Sequence, residues 1–406
     1  MRRNIPITST RSRRVYTAVL SAAMFAAISF PLGNVSRTAP LQVPTPEPAP
    51  QVKPAIDGVL SLFKQKRVVA LGDFHGVAQE EAFYSALVRD PRFAEEVGNV
   101  VVEFGGSAAQ GIIDRYVNGE DVPLTELRHV WTDVVGWMPG PFALGFVNFY
   151  ATVRAVNLKL PPGHRVKVWL GDPKIDWTKI NSYGDVQPIL ARRDENISGI
   201  IVDEILKKQK KTLLIIGAAH LAANGSGPGA IFPPLVAKVV ATDPNALAVV
   251  APFTGYVEPE CNVKFGARVK DWPVPAIARP IEGTWLKSEL QLAGCNYVRP
   301  EQVRRMKEDL DGMRAARGLP PLKNSLAVMI ANQNGQRSGV NFDAILYLGP
   351  QDTLTESPIE PSFYLDPDYF KEMNRRAQCC VPMSYSLNWD NILQQNSVVP
   401  RKFEPR

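Results

Sequence analysis

The chain has 406 residues, 45% hydrophobic and 21% charged, with a formal net charge of +6 at pH 7. That composition excludes low-complexity disorder for most of the chain and allows one large domain or two ordinary ones, with ample core. The first 40 residues hold six arginines (Arg2, Arg3, Arg11, Arg13, Arg14, Arg37) and no acid, leaving 40 basic and 40 acidic residues, so net charge gives no support to a nucleic-acid face.

The N-terminus reads as an export signal. Arginines up to Arg14 precede an apolar run from Val15 to Leu32, with cleavage expected near residues 36–40. Arg13-Arg14 after Ser12 resembles a twin-arginine signal, which exports folded protein. The alternative is an uncleaved anchor, although the run is short for a span and contains Pro31. The expected organisation is a signal peptide over 1–39, a proline-rich linker or strap over 40–55, a single α/β catalytic domain with insertions over 56–350, and an irregular extension over 351–406. The expected location is periplasmic or secreted, with no stable transmembrane segment after cleavage. Oligomeric state stays open.

Ordered structure is expected to begin with a helix over Ile56 to Lys64. Arg67 to Leu71 is a short apolar run ending at Gly72, the pattern of a buried parallel strand. Gln79 to Arg89 has helical periodicity. Asn99 to Phe104 is a second strand, broken by Gly105 and Gly106, and Ala108 to Tyr116 a helix. An aromatic stretch from Trp131 to Tyr150 is split into two helices by Pro139-Gly140-Pro141. Strands follow at Arg165 to Leu170, Lys211 to Ile216 and Ala246 to Pro252, with a helix over Glu195 to Gln209. Residues 255–296 read as short extended pieces, Pro300 to Ala316 as a charged helix, and Phe342 to Leu348 as a late strand. Strands alternating with helices predict an α/β fold, a mostly parallel sheet with helices on both faces. The four cysteines (Cys261, Cys295, Cys379, Cys380) permit two disulfides, with Cys379 and Cys380 facing different partners.

Ligands in such folds bind beyond the carboxyl ends of the strands. Two of the four histidines sit there, in Gly72-Asp73-Phe74-His75-Gly76 and Gly217-Ala218-Ala219-His220. Glu103 and Asp172 end two more strands. Two imidazoles among carboxylates suit proton transfer: His75 as a base on water, Asp73 or Glu103 orienting it, His220 serving the reacting oxygen. Glu103 can act on water itself if burial raises its pKa. No nucleophile elbow is present, and Ser107 reads as a helix cap. Plain alternatives stand beside these roles: His75 or His220 bonding loop backbone, Asp73 or Asp172 serving as turn residues, the aromatic stretch forming core. Trp131 and Phe149 are candidates for an apolar pocket wall.

The stretches VVALGDFHGVAQEEAFYSALV, NVVVEFG, FVNFYATVRAVNLKLPPGHRVKVWLGD and RRDENISGIIVDEILKKQKKTLLIIGAAHL, with FDAILYLGP later, resemble the superfamily that joins erythromycin-esterase-like hydrolases, ChaN-like haem-binding lipoproteins and TraB/Tiki-type proteins. The resemblance implies an EreA/ChaN-like fold in an exported member, with His75, Glu103 and His220 at the family's active-site positions. Asp73 stands where the family carries its first acid, usually glutamate. One residue, Phe74, separates acid from histidine, as in the ChaN-like and metal-using branches. Arg193 and Asp194 resemble the family's Arg-Asp pair and join the expected pocket.

The leading expectation is an exported hydrolase of an ester, lactone or amide bond in a small or medium-sized, partly apolar molecule or peptide, without a cofactor or nucleic-acid partner. The first alternative is a metal-dependent hydrolase or peptidase holding Zn, Mn or Co on His75, Glu103, His220 and Asp73. The second is a non-enzymatic haem-binding protein, with Tyr84, His75 or His220 as axial ligand.

Overall fold

Aliphatic runs with no polar break make the strands, because a parallel sheet covered on both faces buries every side chain. A computed structural model of the chain describes residues 47–135, 143–222, 233–292, 294–295, 308 and 342–380. The expected signal peptide, the Pro139-Gly140-Pro141 break, most of the expected helix at 300–316 and residues 381–406 lie outside them.

The elements run β1 (Gln51–Pro54), α1 (Ala55–Leu62), β2 (Val68–Asp73), α2 (Ala78–Arg89), α3 (Pro91–Glu96), β3 (Asn99–Gly106), α4 (Gln110–Val117), α5 (Leu124–Leu127), α6 (His129–Thr132) and α7 (Leu144–Asn157). Then come β4 (Lys167–Asp172), α8 (Tyr183–Leu190), α9 (Arg193–Ile200), β5 (Thr212–Gly217), α10 (Pro234–Thr242), β6 (Leu247–Phe253), α11 (Pro259–Arg268), β7 (Ala276–Arg279), α12 (Trp285–Leu290), β8 (Ala344–Tyr347) and a last helix, Pro367–Cys380. The eight strands among the described residues form one sheet in the order β1-β7-β8-β6-β2-β5-β3-β4. The pairings from β8 through β4 are parallel, and β7 pairs antiparallel with both β8 and β1.

Alternate strand residues feed two cores. Val69, Leu71, Val100, Val102 and Leu213 pack with α1, α2, α4 and α7. Val68, Ala70, Val101, Leu214 and Ile216 pack with α9, α10 and the π-helix Ile201–Leu206 that continues α9. A third cluster, rich in aromatic rings, joins Phe253, Tyr256, Phe265 and Trp285 beside β7 and β8. Among the described residues no helix is long and apolar enough to cross a membrane.

Several expectations need correction. The piece over 40–55 is not only linker: Gln51–Pro54 adds an edge strand, and half-buried Val52 packs on the third cluster. Residues 255–296 hold two helices as well as β7. Pro259 opens α11 at a position where its missing N–H costs nothing, and Phe265 anchors it in the core. Cys261 bonds Cys295 with a Cα–Cα separation of 5.7 Å. That pairing leaves Cys379 only its neighbour Cys380, and those two bond to each other instead of facing different partners. Among the described residues the extension after residue 350 is largely irregular up to the helix Pro367–Cys380, which buries Tyr369, Phe370, Met373 and Ala377 against Ile359 and Phe363.

One buried side chain fixes the approach to β4. Asn157, at the end of α7 and fully buried, donates Nδ2 to the Val166 carbonyl at 2.9 Å and accepts from the Val166 N–H at 2.7 Å. Asn157→Ala strands both backbone groups, so urea denaturation should show a loss of about 3 kcal/mol. A loss below about 1 kcal/mol would mean that water replaces both bonds.

Candidate functional site

The turn after β2 builds the first half of the site. His75 has φ 37° and Gly76 φ 85°, so two successive residues occupy the left-handed region. A non-glycine residue held there is the kind of local strain that functional sites retain. The turn points the His75 ring back over the sheet, where Nδ1 makes a short contact with Asp73 Oδ2. The His75 N–H also donates to that oxygen at 3.3 Å.

Asp73 is backed by α2. The Tyr84 hydroxyl lies 3.0 Å from Asp73 Oδ1 and 2.8 Å from Glu80 Oε1, and Glu80 Oε2 accepts the Phe74 N–H at 3.2 Å. Tyr84 has one proton to donate, so one carboxyl must supply the proton for the other contact. Burial, reinforced by the charge of Asp73, pushes the Glu80 carboxyl well above its ordinary range. Glu80 is therefore the neutral partner: it donates to the Tyr84 oxygen, and the Tyr84 hydroxyl donates to Asp73. Tyr84 is fully buried within this network and has no free face for haem, which removes it as an axial ligand.

Glu103 closes the other side. Between Val102 and Gly106, β3 carries two extra residues relative to β4, a bulge that re-aims Glu103. Its Oε1 lies 3.3 Å from His75 Nε2, and its buried Oε2 has no hydrogen-bond partner. β5 runs between β2 and β3, and its last residue is Gly217. A Cβ there would come 3.1 Å from His75 Nε2 and 3.2 Å from Glu103 Oε1, closer than the pair readily tolerates. Burial opposes charge on the His75 ring, but the Asp73 carboxylate and its hydrogen bond, helped by Glu103, outweigh it and push the imidazole up to about 9. At neutral pH His75 carries a proton.

Beside this cluster lie two further pairs. Arg193 Nε donates to Asp172 Oδ1 at 2.6 Å, and Asp172 Oδ2 accepts the Val135 N–H. Burial pushes the Asp172 carboxyl up, against the pull of Arg193. Burial likewise opposes the Arg193 charge, but Asp172 and then Glu103 outweigh it and hold the guanidinium charged. His220 Nδ1 lies 2.6 Å from Asp194 Oδ1. The first turn of α9 thus supplies one partner to the end of β4 and one to the turn after β5.

Ligand atoms of Asp73, His75 and Glu103 lie within 4.8 Å of one another, a set able to hold a metal ion. An imidazole, two carboxylates and the unpartnered Glu103 Oε2 suit a zinc-, manganese- or cobalt-like cation. His220 is not in that set. Trp131 and Phe149, expected in a pocket wall, are core: Trp131 is 1% and Phe149 0% exposed, packed with Phe104, Phe146 and Tyr150. Ser107 starts a 3-10 turn, but its hydroxyl makes no capping bond. Sequence reasoning missed Glu80 and Glu81. The available signal was two adjacent glutamates opening the helix that follows the histidine turn, with Tyr84 four residues after Glu80 on the same face.

No family model and no curated protein matches the chain. Among solved structures, the type III effector HopBA1 is similar over 51% of this chain and 88% of that one, at 14% identity and a TM-score of 0.33. The C-terminal region of Pasteurella multocida toxin, described with a thiol-protease-like triad, is similar over 50% of this chain and 25% of that one, at 11% identity and a TM-score of 0.33. ChaN of Campylobacter jejuni, described with cofacial haem, is similar over 50% and 87%, at 14% identity and a TM-score of 0.30. The chemistry of the site rests on its own atoms.

Removing one member of the Arg193–Asp172 pair leaves a buried charge without its partner. Arg193→Met should cost about 3–5 kcal/mol in urea denaturation, and the added change Asp172→Leu should restore part of it. Strictly additive losses would show that the two side chains are not coupled.

Proposed function

We propose that the protein is a hydrolase in which Glu103 activates water and protonated His75 serves the reacting oxygen of an ester, lactone or amide bond. The observation that carries this reading is His75 held between Asp73 and Glu103, with Glu103 Oε2 buried and unpartnered. An imidazole with its pKa pushed up to about 9 is a proton donor at neutral pH, which reverses the general-base role expected from sequence. Glu103 accepts the proton of the attacking water. His75 Nε2–H donates to the oxygen on which charge develops, while Asp73 keeps Nδ1 engaged and Glu80 and Tyr84 hold Asp73. His220 on Asp194 offers a second donor from the adjacent strand end. The substrate class is a small or medium-sized, partly apolar molecule or peptide. The arginine-led apolar N-terminus and the two disulfides support an exported location.

A second reading is favoured by the close set Asp73, His75 and Glu103. A divalent cation on these three would supply Lewis-acid activation of water or carbonyl. Calorimetric titration of the purified chain with Zn²⁺, Mn²⁺ and Co²⁺ should show one site, lost in His75→Ala; no heat with any of the three removes this reading.

For the metal-free reading, hydrolysis of p-nitrophenyl esters, a lactone and anilides should fall roughly 100-fold or more in both His75→Ala and Glu103→Gln, with circular dichroism unchanged. The kcat/KM profile should decline above about pH 9, as His75 loses its proton. Activity that rises through that range would make His75 a base and reverse the assigned roles.

A further inference from the structure

The two disulfides differ in kind. Cys261–Cys295 joins residues 34 apart in sequence and packs in the third cluster, as a structural staple does. Cys379–Cys380 joins neighbours and closes the shortest loop a chain can make. The entropy removed from the unfolded chain grows with the loop closed, so this second bond adds little to global stability. Its effect is local, and its place is the end of the helix Pro367–Cys380.

That end packs against segments at the rim of the sheet. Cys380 is 0% exposed and lies among Val135, Ile175, Trp177, Ile180 and Val186. One turn back, Arg376 donates to the Thr132 carbonyl at 3.0 Å and to Asp133 Oδ1 at 2.9 Å. Arg375 donates to the Trp177 carbonyl at 3.1 Å and to the Ile180 carbonyl at 3.0 Å. The helix end thus fastens two segments, 132–135 and 175–180. The first of them rests on the strands of the site. The Asp133 carbonyl lies so close over Gly106, the last residue of β3, that no Cβ fits there. The Val135 N–H donates to Asp172, the last residue of β4, which in turn holds Arg193.

We propose that the Cys379–Cys380 disulfide is a thiol-sensitive latch, which when closed holds segment 132–135 on the ends of β3 and β4 and when opened by a dithiol releases it. The latch rests on the hydrolase reading only for its effect on turnover. The two sulfurs are unequal. Cys379 is half-buried, with the Arg375 guanidinium 3.8 Å from its Sγ, whereas Cys380 has no exposed surface. An incoming thiolate, drawn by the guanidinium, therefore attacks Cys379 Sγ. A new S–S bond forms to Cys379, the bond to Cys380 breaks, and its electron pair leaves on Cys380 Sγ, which takes up a proton. The second thiol of the dithiol then displaces Cys379, which also leaves as a thiol. The cysteine pair has gained two electrons and two protons, and the dithiol has closed to its own disulfide. Once open, the two side chains take separate rotamers, and a free thiol replaces half of a compact disulfide in the apolar pocket of Cys380.

The test follows backbone hydrogen exchange of the full-length protein by mass spectrometry, with and without dithiothreitol. Peptide mapping of the untreated protein should show Cys379 bonded to Cys380; free thiols there, or another partner for either, would overturn the proposal. Dithiothreitol should speed exchange in 132–135 and 175–180 roughly tenfold, leave β2 and β5 unchanged, and lower ester turnover, with recovery on reoxidation by diamide. Cys379→Ala/Cys380→Ala should exchange like the reduced protein and no longer respond. A response that persists in that variant would belong to Cys261–Cys295 and would sink the latch. So would unchanged exchange on reduction, turnover that the dithiol does not move, or loss of the folded circular dichroism spectrum with the bond. Exchange that responds in a protein without hydrolysis in either state would support the latch and remove the hydrolase.

Discussion

The site depends on one close approach, the His75 ring passing over bare backbone at Gly217. Strand order puts β5 between β2 and β3, so the histidine after β2 and the glutamate of β3 meet only across the end of β5. A Cβ at residue 217 would press on both His75 Nε2 and Glu103 Oε1 and push them by a few tenths of an ångström. The other local irregularities serve the same meeting. The left-handed turn at His75 and Gly76 brings the ring back over the sheet, and the bulge in β3 turns Glu103 toward it. A regular β3 in unbroken register with β4 would alternate Glu103 with its neighbours along the strand and would not re-aim it.

That meeting concentrates acid in the interior, and the fold answers with protons and one guanidinium. Asp73, Glu80, Glu81, Glu103 and Asp172 are all less than a tenth exposed. Five carboxylates could not ionise together at such burial without matching cations. Glu80 and Glu81 keep their protons well above the ordinary carboxyl range. His75 gains a proton, and Arg193 stays charged beside Asp172 within the field of Glu103. The charge pattern is thus an outcome of burial, and the formal count of ionisable residues does not describe it.

Much of the fold was legible because buried parallel strands are apolar throughout. Arg67 to Leu71, Asn99 to Phe104 and Lys211 to Ile216 each became a strand within a residue or two of the expected bounds. Asp73, His75 and Glu103 were legible as strand-end polar residues, since position at the rim follows from the strand. Their pairing was not, because it depends on strand order and on the bulge. His220 sits on the expected rim yet pairs with Asp194, a partner 26 residues earlier brought there by α9. Trp131 and Phe149 read equally well as wall or core, and only the packing of α7 on the sheet decides for core. Glu80 and Glu81 were illegible for a different reason. Acidic residues in the first turn of a helix have an ordinary explanation in the helix dipole, and nothing in local sequence says that the turn is buried.

That buried turn serves two different neighbours at once. Successive residues of a helix point about 100° apart, so neighbouring glutamates on α2 serve different neighbours. Glu80 and Tyr84, one turn apart, face Asp73. Glu81 faces α7 and the Ser357 hydroxyl. The segment after β8 clamps this turn from outside. Ser357 donates its N–H to Gly76 at 2.8 Å, Ala78 donates to Thr355 at 3.0 Å, and Leu144 at the start of α7 donates to Pro358 at 2.8 Å. One short stretch of chain therefore bonds the histidine turn, the first turn of α2 and the first turn of α7. The strained backbone at His75 is held by that clamp from one side and by Asp73 and Glu80 from the other. The irregular course of residues 354–359 suits this work, because a helix there would spend its backbone groups on itself and leave none for the three elements that it ties.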